Sequence, residues 1–227
     1  INNKTLYNRH PNQYKFVSDV AKSIKNKEIN ILVFGCSTGL EPLSLAKLYF
    51  TEPNHLIDAV DISEKVIKIA KSTNCHERIN YFISKDSDKR KKYDVIFANS
   101  VFCLNPTPKI SDISKSYPFK SYEDTLAELL EQLKIGGILM LYNCNYSVSD
   151  TFFADSLLDI TNSSCRIREF VPVYPKKGKI STYGKEYLRT YFSRKILNKL
   201  PIGKQFRWQI RMNFLKAFGP CIYLKLK

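Results

Sequence analysis

No C-x-x-C pair occurs among the six cysteines (Cys36, Cys75, Cys103, Cys144, Cys165, Cys221), and their spacings follow no framework. That excludes a zinc ribbon and a small disulfide scaffold, and predicts reduced thiols in a cytoplasmic setting. Histidine is scarce: His10, His55 and His76 lie far apart, and Cys75-His76 alone is no ligand set, so no metal is expected. Long apolar runs are missing too. The longest uncharged stretch, Ile135 to Ser149, is polar and falls short of the roughly 20 residues a membrane span needs. No secretory leader is visible, and the sequence begins at Ile rather than Met, so a trimmed chain or a piece of a longer one is expected. Acids are missing from one region only. Residues 166 to 227 carry sixteen Lys or Arg against Glu169 and Glu186, a balance of +14, within a whole-chain charge of +15. Such an asymmetry predicts an anionic partner: nucleic acid, a membrane surface or a phosphorylated substrate, with a merely solvated basic face as the plain alternative.

What is present reads as one domain, since 227 residues at 44% hydrophobic can bury a full core. An N-terminal helical segment, 1–28, carries Tyr14, Val17, Val20, Ala21 and Ile24 at helical spacing. Apolar runs then alternate with helical patterns. Strands are expected at Ile29 to Phe34, His55 to Val60, Ile79 to Ser84, Tyr93 to Ala98 and Ile138 to Tyr142. Helices are expected from Glu41-Pro42 to about Phe50, after a Ser63 cap, and from Ser121 or Asp124 to a stop at Gly136-Gly137. That alternation implies parallel strands with helices on both faces, a doubly wound Rossmann-like α/β sheet. Beyond residue 150 the expectation is a helix over 151–161, a strand over Arg166 to Tyr174 and a closing antiparallel strand from Cys221 to Leu226. The basic segment 175–220 then reads as an insertion between the last two strands. The connection 103–120, with three prolines, reads as a lid.

The most informative stretch is Ile31-Leu-Val-Phe-Gly-Cys-Ser-Thr-Gly-Leu-Glu-Pro42, a buried strand ending in a glycine turn that opens a helix. In an open α/β sheet such a turn lies at the ligand edge. A phosphate-cradling P-loop does not fit, because Leu40-Glu41 stands where a lysine would face phosphate. A dinucleotide fingerprint does not fit either, because Ser37 and Leu40 occupy two of its glycine places. A ligand without phosphate suits the turn better, such as an amino acid joined to a nucleoside. Glu41 can then accept from an ammonium group, Asp61 from both ribose hydroxyls and Asp86 from an adenine amino group. The plain alternatives are a helix cap for Asp61 and a polar turn for Asp86.

G-C-S-T-G-x-E-P-x-S-L-A followed by D-A-V-D-I-S resembles the chemotaxis-receptor methyltransferase family, within the S-adenosylmethionine-dependent methyltransferases with a seven-stranded sheet. The likeness runs from about residue 6 to residue 143. Leu6-Tyr-Asn-Arg9-His-Pro11 with Tyr14 looks like that family's F-F-R-D-P-x-x-F segment. By resemblance Arg9 meets the cofactor carboxylate, as a bidentate guanidinium pair. The resemblance implies S-adenosylmethionine as cofactor. The candidate site comprises Arg9, Gly35, Cys36, Ser37, Thr38, Gly39, Glu41, Asp61, Ile62, Asp86, Asn99 and Ser100. Three departures bear on the acceptor: Leu40 replaces a glutamate, Ser100 stands at an asparagine position and Leu104 at a tyrosine position. An anionic small-molecule, saccharide or lipid-linked acceptor is therefore expected, with RNA or a protein carboxylate as alternatives. No general base announces itself; Tyr7, Tyr14, His10 and Asn99 are candidates by proximity alone. Asn105-Pro-Thr-Pro108 faintly resembles the N-P-P-aromatic motif of DNA amine methyltransferases, but a proline turn explains it.

Overall fold

The computed structural model describes residues 5–24, 28–104, 112–165, 173–174, 176 and 221–227. Five strands run parallel: β1 (Ile29–Phe34), β2 (His55–Asp61), β3 (Ile79–Ile83), β4 (Tyr93–Asn99) and β5 (Leu133–Tyr142). β7 (Ile222–Lys225) enters antiparallel between β5 and β6 (Leu157–Asp159), giving a seven-stranded sheet of order β3-β2-β1-β4-β5-β7-β6. The expected doubly wound, mostly parallel architecture is the one observed. Strand order reverses between β1 and β4, so the crevice for a ligand opens at their carboxyl ends.

Each strand's alternate side chains feed two cores. Ile31, Val33, Phe97, Ile138 and Met140 pack beneath α1 (Pro11–Ile24), α2 (Leu40–Leu48) and α3 (Glu64–Thr73). Leu32, Ile96, Ala98, Leu139 and Leu141 pack on Tyr122, Leu126, Leu129 and Leu130 of α4 (Phe119–Gln132). Burial on both faces explains why these strands are continuous apolar runs.

Several details differ from the sequence reading. Over 151–161 there is no helix: a 3₁₀ turn (Ala154–Ser156) leads into β6, whose partner is β7. The glycines do not stop α4, which ends at Gln132. They lie inside β5, where the register against β4 shifts and Gly136 takes φ 73°, a bulge rather than a cap. Ser63 sits at the N-cap of α3 without a side-chain cap bond. The expected strand at 166–174 apart from Val173 and Tyr174, the insertion 175–220 apart from Lys176, and Asn105 to Pro108 lie outside the described residues. Among the described residues no helix is long and apolar enough to cross a membrane.

One buried cation holds the far end of the sheet. Arg78, 8% exposed, donates to the carbonyls of Ala46 (2.6 Å), Glu52 (3.1 Å), His55 (3.2 Å) and Phe50. It satisfies the open end of α2 and the chain entering β2. Arg78→Met should therefore lower the stability of the cofactor-free protein by about 2–4 kcal/mol, since it orphans several buried carbonyls at once. Urea unfolding measures the loss; a change under about 0.5 kcal/mol would show that water replaces the guanidinium.

Candidate active site

The turn after β1 is clamped before it reaches any ligand. The amides of Gly35 and Cys36 both donate to the Val60 carbonyl, at 2.8 and 2.9 Å, binding the exit of β1 to the end of β2. The chain then takes left-handed backbone at Gly35 (φ 80°), Ser37 (φ 51°) and Gly39 (φ 88°). A Cβ on Gly35 would come within 2.5 Å of Val101 Cγ2, and one on Gly39 within 2.6 Å of Tyr81 Oη. Both glycines are thus required twice, by φ and by space. Asp61 closes the turn: its Oδ2 accepts from Ser37 N and its Oδ1 from Ser63 N, each at 2.9 Å. Asp61 thus fixes the approach to α3 without capping it, since Ser63 is the N-cap, and each oxygen keeps a further lone pair for a ligand hydroxyl. Beside it, Ile62 is 70% exposed and offers an apolar surface at the same edge. Thr38 faces inward through its carbonyl, which accepts from Asn74 Nδ2 at 2.7 Å. Cys36 is buried, and burial pushes its thiol well above the usual range, so it packs rather than reacts. Asp86 is exposed in the 3₁₀ turn that follows β3.

A second cluster forms where α1 crosses the ends of β4 and β5. Glu41, at the start of α2, is buried; its Oε1 accepts from Tyr14 Oη (3.1 Å) and from Asn99 Nδ2 (2.5 Å). Burial raises the Glu41 pKa, opposed by those two hydrogen bonds and by the Arg9 guanidinium. Arg9 itself lies over the Tyr142 ring, 5.8 Å from its centroid. The segment is pinned to α2 through Asn8, whose amide donates to Ser44 Oγ at 2.7 Å and whose Oδ1 accepts from Tyr49 Oη at 2.5 Å. Ser100 (φ 59°) and Asn143 (φ 57°) end their strands in left-handed backbone, and Asn143 Nδ2 donates to Ser100 Oγ at 3.0 Å. Strained non-glycine residues paired at a ligand edge are a functional signature. Asn143 escaped the sequence reading; its only signal there is an amide ending an apolar run.

The structure thus groups Gly35 to Gly39 with Asp61 and Ile62, and Arg9 with Glu41, Asn99 and Ser100. Asp86 stands apart on the next turn. An amino-acid zwitterion fits the second group, with Arg9 for its carboxylate and the Glu41 and Asn99 oxygens for its ammonium. Proton removal by Tyr14 or His10 does not fit. Tyr14 donates a hydrogen bond to Glu41 and its pKa is raised well above 10 by burial, while His10 is lowered to about 4 by burial and by Arg9. A base with so low a pKa drives little proton transfer near neutrality. Among the described residues no group of His, Cys, Asp or Glu could hold a metal ion.

Because its folded pKa is raised, Glu41 favours the fold most below its unfolded pKa and loses that contribution as pH rises through the folded one. Glu41→Gln should then stabilise the cofactor-free protein near neutral pH while weakening S-adenosylmethionine binding roughly tenfold or more, the worth of a charged hydrogen bond. Thermal unfolding from acid to neutral pH, with calorimetry of cofactor binding, reads both effects. Unchanged affinity would remove Glu41 from the cofactor site.

A family profile described as a methyltransferase domain matches residues 25–194. Among curated relatives, the malonyl-[acyl-carrier protein] O-methyltransferase of Priestia megaterium is 28% identical over 151 residues, 60% of this chain and 49% of the relative. One from Ilyobacter polytropus is 40% identical over 77 residues, 32% of this chain and 28% of the relative. The chain spans about half the length, or less, of the curated relatives it matches. Among solved structures, PKMT2 from Rickettsia typhi is 19% identical, covers 57% of this chain and 25% of that one, and gives a TM-score of 0.41. TrmN from Thermus thermophilus is 18% identical, with 65% and 42% covered and a TM-score of 0.39. Likenesses of that size carry no functional weight. The narrower resemblance to receptor methyltransferases finds no support in these relatives: the glycine turn it rests on shapes the cofactor end and says nothing of the acceptor. Matched over most of its length, the chain belongs to the methyltransferase-domain family, whose methyl donor is S-adenosylmethionine.

Proposed function

We propose that this protein transfers the S-adenosylmethionine methyl group to a carboxylate oxygen of an anionic acceptor, a malonyl thioester borne by an acyl carrier protein. The observation that carries this reading is that neither Tyr14 nor His10, the two candidate bases beside Glu41 and Arg9, suits proton removal. A carboxylate arrives already deprotonated, so it needs no general base, whereas a hydroxyl does. The curated relatives support the choice, since their names specify O-methylation of a malonyl group on a carrier protein. The basic balance of residues 166–227 supports it from the other side, by favouring an anionic substrate or carrier.

In this reading Arg9 takes the cofactor carboxylate, Glu41 and Asn99 its ammonium, and Asp61 its ribose hydroxyls. Ile62 and Asp86 flank the adenine, and the backbone from Gly35 to Gly39 lets the methionine part approach. Ser100 sits beside the methyl group. One carboxylate lone pair attacks the methyl carbon in line, and the carbon–sulfur bond breaks with its electrons passing to sulfur. The products are a methyl ester and S-adenosylhomocysteine. No proton moves, so the enzyme's task is alignment and exclusion of water. Cysteine spacings that follow no disulfide framework support a cytoplasmic setting for this reaction.

With methyl-labelled cofactor and malonyl-acyl carrier protein, label should appear in the carrier protein fraction and leave as methanol under mild alkali, as an ester does. The acceptor KM should rise with ionic strength, because screening weakens capture by exposed basic groups. Alkali-stable label in RNA or in protein, with none in the malonyl thioester, would overturn the proposal.

A further inference from the structure

His10 is buried to 5% exposure at the start of α1, and its Nε2 has no hydrogen-bond partner. The imidazole packs edge-on against Tyr142 (centroids 4.4 Å apart) and Tyr14 (5.8 Å), and follows Arg9 in the chain. Leaving such a polar atom buried without a partner is costly, and unpaired buried groups of this kind are rare in native structures. The neighbourhood supplies a reason. Asn99 Oδ1, on the strand beside Tyr142, is also buried without a partner. It is an acceptor, and with Glu41 it matches the cofactor ammonium. Arg9 matches the cofactor carboxylate. Those pairs leave His10 Nε2 as a buried nitrogen with no partner assigned to it.

We infer that His10 is an acceptor-binding residue, whose Nε2–H donates to the carboxylate oxygen that is not methylated. The inference rests on the carboxylate reading above and adds the residue that selects for it. Burial and the adjoining Arg9 keep the ring uncharged near neutral pH. It therefore acts as a donor in its Nε2–H tautomer and never as a base. Donation to one oxygen turns the second toward the donor methyl, and an acceptor lacking the carboxylate leaves the imidazole unpaired. Discrimination of that origin exceeds what an apolar pocket provides.

Two variants separate this role from packing. His10→Phe keeps the ring against Tyr142 and Tyr14 but removes the donor; His10→Gln keeps a donor. With malonyl-pantetheine as acceptor, His10→Phe should raise KM at least tenfold, and His10→Gln should stay within about threefold of wild type, a neutral hydrogen bond being worth ~1 kcal/mol or somewhat more. The Kd of S-adenosylhomocysteine, measured by calorimetry, should be unchanged in both. A Kd that rises in step with KM would assign His10 to the cofactor and overturn the inference. Unchanged values throughout would make it a core residue whose nitrogen faces internal water. If the wild type methylates neither malonyl-pantetheine nor malonyl-acyl carrier protein, the functional reading falls on its own. His10 is then judged by imidazole ¹⁵N shifts in the protein saturated with S-adenosylhomocysteine, titrated with malonate and with acetate. A saturable Nε2 shift supports carboxylate binding, and no response to either overturns it.

Discussion

A buried carboxylate is the constraint around which this site is built. Glu41 is 9% exposed, and burying its charge costs several kcal/mol unless partners compensate. The partners come from three elements: Tyr14 from α1, Asn99 from the end of β4, and Arg9 from the segment that leads into α1. None of them is close to Glu41 in sequence. Only a sheet whose order reverses between β1 and β4 brings α2, which follows β1, against the end of β4. The buried acid thus depends on the topology, and the geometry of the site depends on the buried acid. Two neutral donors and a cation reached only through space under-compensate it, which explains the raised pKa. On the proposed reading, the cofactor ammonium completes the set.

The glycine turn solves a different problem with the same economy. Its amides are already committed to Val60 and Asp61, so the loop is rigid before any ligand arrives. Rigidity here is preorganisation, because little loop entropy remains to be lost on binding. The space left by the missing Gly35 side chain is filled by Val101, from the chain just after β4. The two turns that border the crevice therefore interlock, and a change in either one is felt by the other.

The parallel strands were legible because burial on both faces writes them as uninterrupted apolar runs; β1 to β4 fall within a residue or two of their expected bounds. The glycine turn was legible for a related reason: left-handed backbone with no room for a side chain at Gly35 and Gly39 demands one residue type. Two things could not be read. The stretch from Thr151 to Thr161 suits a helix by pattern, yet it holds β6, whose pairing of Leu157 with Lys225 lies across the chain. Gly136-Gly137 carries the same ambiguity, since a positive φ serves a helix stop or a strand bulge equally well, and only the β4 register decides. In the site, the sequence marks Glu41 as an acid but not as a buried one. Nothing in Asn-Arg-His-Pro announces that His10 ends with a nitrogen unpaired.

That unpaired, uncharged imidazole fits the electrostatics of the proposed reaction better than a second cation would. Methyl transfer from a sulfonium to a carboxylate destroys both charges, so the acceptor is most negative before the transition state. A lysine or charged histidine against it would stabilise the ground state more than the transition state. It would lower KM without raising kcat. A neutral donor orients the oxygen while holding less of the charge that must disappear. The basic residues of 166–227 carry no such penalty so long as they act on capture, where long-range attraction raises encounter rates and leaves the reacting atoms alone. On the proposed reading, separating the two tasks, charge for recruitment and neutrality at the reacting carboxylate, accounts for a strongly cationic segment in a chain whose site, among the described residues, sets one guanidinium, Arg9, beside a neutral ring.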